Sequence, residues 1–113
     1  MDVFREPFDP SDVNDYEVDF TRLLAAGETI GAFAVTPSPA AAEIGFGIRE
    51  GTYSPTAIGG TAVRFWPTIA AEEASHARWA GAGLRCVLEI TITTTATPPR
   101  TLQRRCAVIV RQM

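Results

Sequence analysis

The sequence predicts an all-β protein built as an antiparallel β-sandwich. Three observations carry this expectation: about six short segments alternate apolar and polar residues with a period of two, Gly- and Pro-rich breakers separate them, and no long amphipathic helix is present to cross between parallel strands. The architecture expected is immunoglobulin-like in broad terms with a short helical excursion, although the Cys–Trp–Cys spacing of antibody domains is absent.

Residues 1–15 read as an extended N-terminal arm ahead of a sandwich domain at 16–113. Pro7 and Pro10 deny the arm a helix interior or a central strand. Phe4 and Phe8 are costly to leave in water, so the arm is expected to pack on its own domain or on a neighbour, and both are candidate partner contacts. Asp9, Ser11, Asp12, Asn14 and Asp15 are turn formers that bond their own backbone. Clustered carboxylates also suit calcium, but the glycine and terminal glutamate of an EF-hand loop are missing, so the metal signal is weak.

Tyr16, Val18 and Phe20 alternate with Glu17 and Asp19 as a first short strand. Asp19 or Thr21 is placed to cap one helical turn through residue 26, closed by Gly27. A second strand follows over 28–36, with Ile30, Ala32 and Ala34 on one face and Phe33 and Val35 on the other, the two-sided pattern of a central strand. Pro37-Ser38-Pro39 ends it. Ala42, Ile44, Phe46 and Ile48 share a face and predict a third strand, and Gly45-Phe46-Gly47 lacks both the further glycine and the helix of a dinucleotide loop.

Residues 50–60 are expected to be loop, broken by Ser54-Pro55 and Gly59-Gly60. A strand returns over 61–66, with Phe65 or Trp66 as core anchor, and Pro67 stops it. Residues 68–80 hold helix formers enough for one or two turns after Pro67-Thr68. Trp79, on this excursion, is a candidate interface anchor, with burial under its own loop as the alternative. Glu72, Glu73 and His76 can be sketched as acid–base groups, but an exposed helical face explains them, and a single His without a nearby Cys forms no metal constellation.

Gly81-Ala82-Gly83 releases the chain into the longest run of strand chemistry, residues 84–110. Cys86, Leu88, Ile90 and Ile92, then Leu102, Cys106, Val108 and Val110, occupy even positions around a Pro98-Pro99 breaker, a hairpin signal. The apolar sets share a face only if even positions oppose even ones. Paired numbers then add to roughly 196 or 198, the loop has an odd length centred near Pro98 or Pro99, and Leu88 opposes Val108 or Val110. In that register Cys86 and Cys106 lie roughly 14–20 Å apart, beyond disulfide reach, and both read as free core thiols. Arg104 puts a charge on the inner face and is expected near the sheet end, its stem packed and its head in water.

Composition bounds the function. Over 113 residues, 46% are hydrophobic and 20% charged, which fits one globular domain that neither is disordered nor spans a membrane. The N-terminus lacks the basic-then-apolar order of a signal peptide, so an intracellular start is expected. The net charge of −3 is polarised: acids crowd residues 1–20, whereas Arg100, Arg104, Arg105 and Arg111 stand in the last fourteen with no acid. That split suits head-to-tail contacts between copies or with a partner and argues against nucleic acid as the main ligand. No catalytic or cofactor signature is present, and no cofactor or metal is expected.

The opening Asp9-Pro10-Ser11-Asp12-Val13-Asn14-Asp15-Tyr16-Glu17-Val18-Asp19 resembles the start of phage fiber-tail adaptor proteins, small virion components of tailed bacteriophages. Glu28-Thr29-Ile30, the strand at 63–66, Gly81–Gly83, the Thr-rich strand at 91–95 and Arg100, Thr101 and Arg104 on the return strand are similar in order and spacing. The resemblance covers nearly the whole chain from Asp9, with the arm before Asp9 and the 68–80 excursion as departures. It implies a non-enzymatic protein made in the host cytoplasm and carried in the tail or neck region of the virion. The partners it implies are other copies in a ring and neighbouring tail, neck or fibre proteins, with no nucleic acid and no membrane. Asp12, Asp15 and Tyr16 are then candidate interface residues, with Arg104, Arg105 and Arg111 of the next copy as counter-charges. A capsid decoration or head–tail joining protein fits the same physics, and a small-ligand protein or enzyme is the remote alternative.

Overall fold

The computed structural model describes all 113 residues. In chain order the elements are β1 (Asp2–Val3), β2 (Tyr16–Asp19), β3 (Ile30–Pro37), α1 (Pro39–Glu43), β4 (Phe46–Ile48), β5 (Thr56–Ile58), β6 (Ala62–Phe65), β7 (Pro67–Ile69), β8 (Leu84–Thr94) and β9 (Thr101–Val110). The fold is all-β and sandwich-like. One sheet has the order β1-β9-β8-β3, a second β2-β6-β5, and β4 pairs with β7.

The β8–β9 hairpin is the spine. Even-numbered residues oppose even-numbered ones, as the alternation requires, and Cys86, Leu88, Ile90, Ile92, Cys106, Val108 and Val110 are buried in one core with Val63 and Phe65 of the facing sheet. The register differs from the expected one: Leu88 opposes Cys106, and Thr94 donates to the Arg100 carbonyl, so the loop centres on Thr97 rather than on a proline. The cysteines are therefore only two positions out of step, about 7 Å at strand rise, and both are free. Arg104 is four residues into β9, opposite Ile90, and exposed. Ala107 is fully buried, with Val3 beside it.

The N-terminal segment is not a detached arm. β1 runs parallel to β9, Phe4 and Phe8 donate to the carbonyls of Ala107 and Ile109, and Arg111 donates back to Phe8. Proline prevents a continuous strand, so the pairing is made in two pieces, residues 2–4 and residue 8.

β3 proves to be an edge strand. Its register shifts between Ile30 and Ala32, and this bulge at Gly31 turns Ile30 onto the face of Phe33 and Val35, leaving Ala32 and Ala34 exposed. Residues 39–43 form a helix that takes Ala42 and Glu43 from the start of the expected third strand, which is confined to Phe46–Ile48. Ser38 accepts from the Ala41 amide at 3.2 Å, Pro39 occupies the first turn and three alanines follow, a start signal that overrides the period-two reading. Gly45 (φ +94°) then reverses the chain into β4, and a Cβ there would press 3.0 Å from Glu73 Cγ.

The expected loop at 50–60 contains β5, which pairs with β6 across Gly59 and Gly60, both at positive φ as a tight hairpin turn demands. Pro67 does not end strand structure but opens β7, at a strand's first residue where no ladder donor is lost. Phe65 is the core anchor, whereas Trp66 is partly exposed against Tyr53, ring centroids 5.7 Å apart. The 68–80 excursion is two short 3₁₀ turns, Ala71–Glu73 and Ala77–Trp79.

Candidate interaction surface

The residues singled out in the sequence separate into core and surface. Phe8 is fully buried, and Phe4, partly buried, lies 4.9 Å from Tyr16 and 5.9 Å from Phe65, ring centre to ring centre. Tyr16 stacks on Phe65 and its hydroxyl donates to the Glu6 carbonyl at 2.8 Å. Burial, with the charges of Asp12 and Glu6, raises the Tyr16 phenol to about 12. These aromatics fasten the N-terminal segment to its own domain, so Phe4, Phe8 and Tyr16 are packing residues rather than partner contacts.

Trp79 is corrected in the same way. Its ring is fully buried, its indole N–H donates to the Glu73 carbonyl at 2.8 Å, and its own carbonyl receives the Gln112 amide. Glu73 accepts from Arg78 at 2.8 Å and His76 Nδ1 accepts from the Arg78 amide at 3.0 Å. The side chains sketched as acid–base groups thus hold the excursion together; Glu72 stands exposed.

The acidic opening folds as turn chemistry. Asp9 accepts from the Ser11 amide at 2.8 Å and, with its other oxygen, from the Met113 amide at 2.8 Å, and those two bonds hold its carboxyl below the usual carboxylate range. Asp12 is half-buried with its carbonyl toward Arg49. Asp15 and Glu17 both lie 3.2 Å from Arg64, the residue opposite Glu17 on β6, so the acids find their arginine within the chain. Arg104, Arg105 and Arg111 are exposed, and of these only Arg105 approaches a carboxylate, Glu89 at 4.0 Å.

Another acid–arginine pair, missed in the sequence, closes the far end of the sandwich. Arg100 holds Glu28 through two nitrogens and also reaches the Leu23 carbonyl at 2.8 Å, while the Ala25 amide donates to Glu28 at 2.9 Å. The Arg100 contact, then Thr94 and the Ala25 amide, lower Glu28 to about 2.

Glu17, Val18 and Asp19 of β2 and Arg104, Arg105 and Cys106 of β9 line one cleft of about 220 Å³ from two sides, together with Phe4, Leu23 and one acid on the β9 side, Asp2. Val18 and Cys106 turn inward by strand alternation and Arg104 shares the Cys106 face, whereas Glu17, Asp19 and Arg105 stand on the outer faces. The spacing of acids at 15, 17 and 19 and the Arg104-Arg105 pair were legible as charges, but not as neighbours. Such a surface offers backbone edges, half-buried apolar side chains and opposite charges, which is the chemistry of protein contacts.

Comparison of the chain with protein-family models, curated proteins and solved structures finds no match.

Proposed function

We propose that this chain is a non-enzymatic structural protein of a tailed-phage virion, an adaptor that joins tail fibres or neighbouring tail and neck proteins to the tail. The resemblance of residues 9–19 to fiber-tail adaptors motivates the reading. The observation that best supports it is the disposition of that opening: Asp9 ties the turn to Met113, and Asp15 just before β2, with Glu17 and Asp19 on it, stands exposed on a packed sheet, Arg64 ordering the first two. A carboxylate row on a rigid scaffold is suited to docking against a basic protein surface, because little side-chain order is lost when the scaffold is already fixed.

The test is protein mass spectrometry and antibody-gold labelling of purified particles of the phage whose genome carries this sequence. The chain present in stoichiometric amount, with label at the tail or neck, is the expected result. Particles that contain none of it, or label over the capsid shell, overturn the adaptor assignment.

A further inference from the structure

The hydrogen-bond phase of β9 is fixed from both sides. Thr94 donates to the Arg100 carbonyl, so even-numbered residues turn their backbone groups toward β8, while Phe4 and Phe8 donate to the carbonyls of Ala107 and Ile109 on the other edge. Thr101, Gln103 and Arg105 therefore point theirs away from β8. β1 pairs only with Cys106 and Ala107, which leaves the edge from Thr101 to Arg105 without a partner strand. β2 is likewise terminal in its sheet. Phe20 donates to Thr61, so even residues face β6 and the backbone groups of Glu17 and Asp19 point outward.

These two edges are the lips of the same cleft. An uncovered strand edge is a template for another strand, and two on one side of a sandwich invite a cover. The charges select it. On the outer face Arg105 is 65% exposed, with Glu89 4.0 Å away, and on the opposite lip Asp19 is exposed and makes no ion pair, whereas Glu17 beside it is held by Arg64 at 3.2 Å. A two-fold axis along the strands brings β9 of one copy against β2 of another and, by the same operation, β2 against β9. Each basic lip then meets an acidic one. A two-fold axis across the strands would set arginines against arginines, which like-charge repulsion disfavours.

We infer that the open side of the sandwich is a self-association surface on which a second copy docks edge to edge, β9 at Thr101–Gln103–Arg105 against β2 at Glu17–Asp19, with Arg105 on the shared outer face toward Glu17 and Asp19. The inference deepens the proposed function, giving the adaptor a second copy of itself as a partner, which the resemblance to fiber-tail adaptors also implies. Placement in a particle is read by mass spectrometry of virions and pairing by the mass of the purified protein, so either can fail alone.

The experiment is sedimentation of the full chain across concentration and salt, with three variants. Gln103→Pro removes an amide that faces away from β8, so the monomer keeps its own ladder, and its unfolding transition is compared with that of the wild type. Arg105→Glu and Asp19→Arg each reverse one lip on the face that the two strands share. The wild type is expected to dimerise, less so as salt rises, and each variant to sediment as a monomer. An equimolar mixture of Arg105→Glu and Asp19→Arg is expected to regain the dimer, because one contact is charge-swapped and the other native. A wild type that stays monomeric at every concentration overturns the inference. So does a dimer indifferent to Gln103→Pro and to both reversals, or a mixture that remains monomeric.

Discussion

Replacing Phe8 with alanine tests whether the N-terminal segment belongs to the fold. The ring is fully buried and sits edge-on to Tyr16 with centroids 6.5 Å apart. Its backbone bonds to Ile109 and Arg111 do not involve the side chain and survive the change. The loss is therefore the buried ring and the cavity it leaves, about 3–5 kcal/mol. A chain of this length has roughly 5–15 kcal/mol of stability in total, so the variant remains folded but loses a large fraction. Urea unfolding followed by tryptophan fluorescence is the assay. With a slope of roughly 2 kcal/mol per molar urea, the midpoint falls by about 2 M while the slope stays unchanged. A loss below about 1 kcal/mol at constant slope would mean that the segment packs loosely and that its aromatic cluster contributes little. By the same reasoning, deleting residues 1–8 removes Phe4, Phe8 and the β1 ladder together, and unfolds the protein rather than freeing a tether.

Three further outcomes are expected. Gly83 has φ +71°, and a Cβ there would overlap the Val110 carbonyl; Gly83→Ala should cost at least about 2 kcal/mol in the same unfolding assay, and a neutral effect would refute the close approach. Glu28 is lowered from 4.5 to about 2 chiefly by Arg100; its contribution is complete above pH 4.5 and is lost as pH falls toward 2, so Glu28→Gln should flatten the acid-side loss of stability, and an acid limb identical to wild type would exclude this pair as its source. Burial raises Cys86 and Cys106 to about 12, with the charge of Asp2 adding at Cys106. Both thiols should resist alkylation near pH 8 until denaturant is added, and native labelling at the rate of a free thiol would contradict their enclosure.

The sequence was informative wherever one face of a strand is buried and the period is uninterrupted. The parity of β8 against β9 and the strands at β2 and β6 follow from local pattern alone, whereas the helical turn expected through residue 26 spans only Thr21–Leu23, and Gly27 (φ +79°) serves a separate turn closed by the Glu28 amide on the Ala25 carbonyl. The register slipped by two because the prolines drew the expected loop centre toward themselves, whereas the strand ends are fixed by Thr94 and Arg100. Residues 39–43 were misread because Ala42, Ile44, Phe46 and Ile48 satisfy a period of two while Ser38 and Pro39 supply a helix start, and the capping bond decides between them. Phe8 and Trp79 looked like surface anchors because their covers, Ile109 and Gln112, lie about a hundred and about thirty residues away. The cleft is non-local for the same reason: β2 and β9 stand on different sheets, and no spacing rule joins Asp19 to Arg105.

The parallel pairing of β1 with β9 also sets how the molecule bears a pull. Tension applied between Asp2 and Val110 runs along both strands in opposite senses, so the amides of Phe4 and Phe8, their aromatic packing and the Arg111 bond are loaded together rather than peeled one after another. Resistance to such a load is governed by the rate of unfolding rather than by its equilibrium. The segment that the sequence presented as an extended arm is, in the folded protein, a shear clamp between β1 and β9.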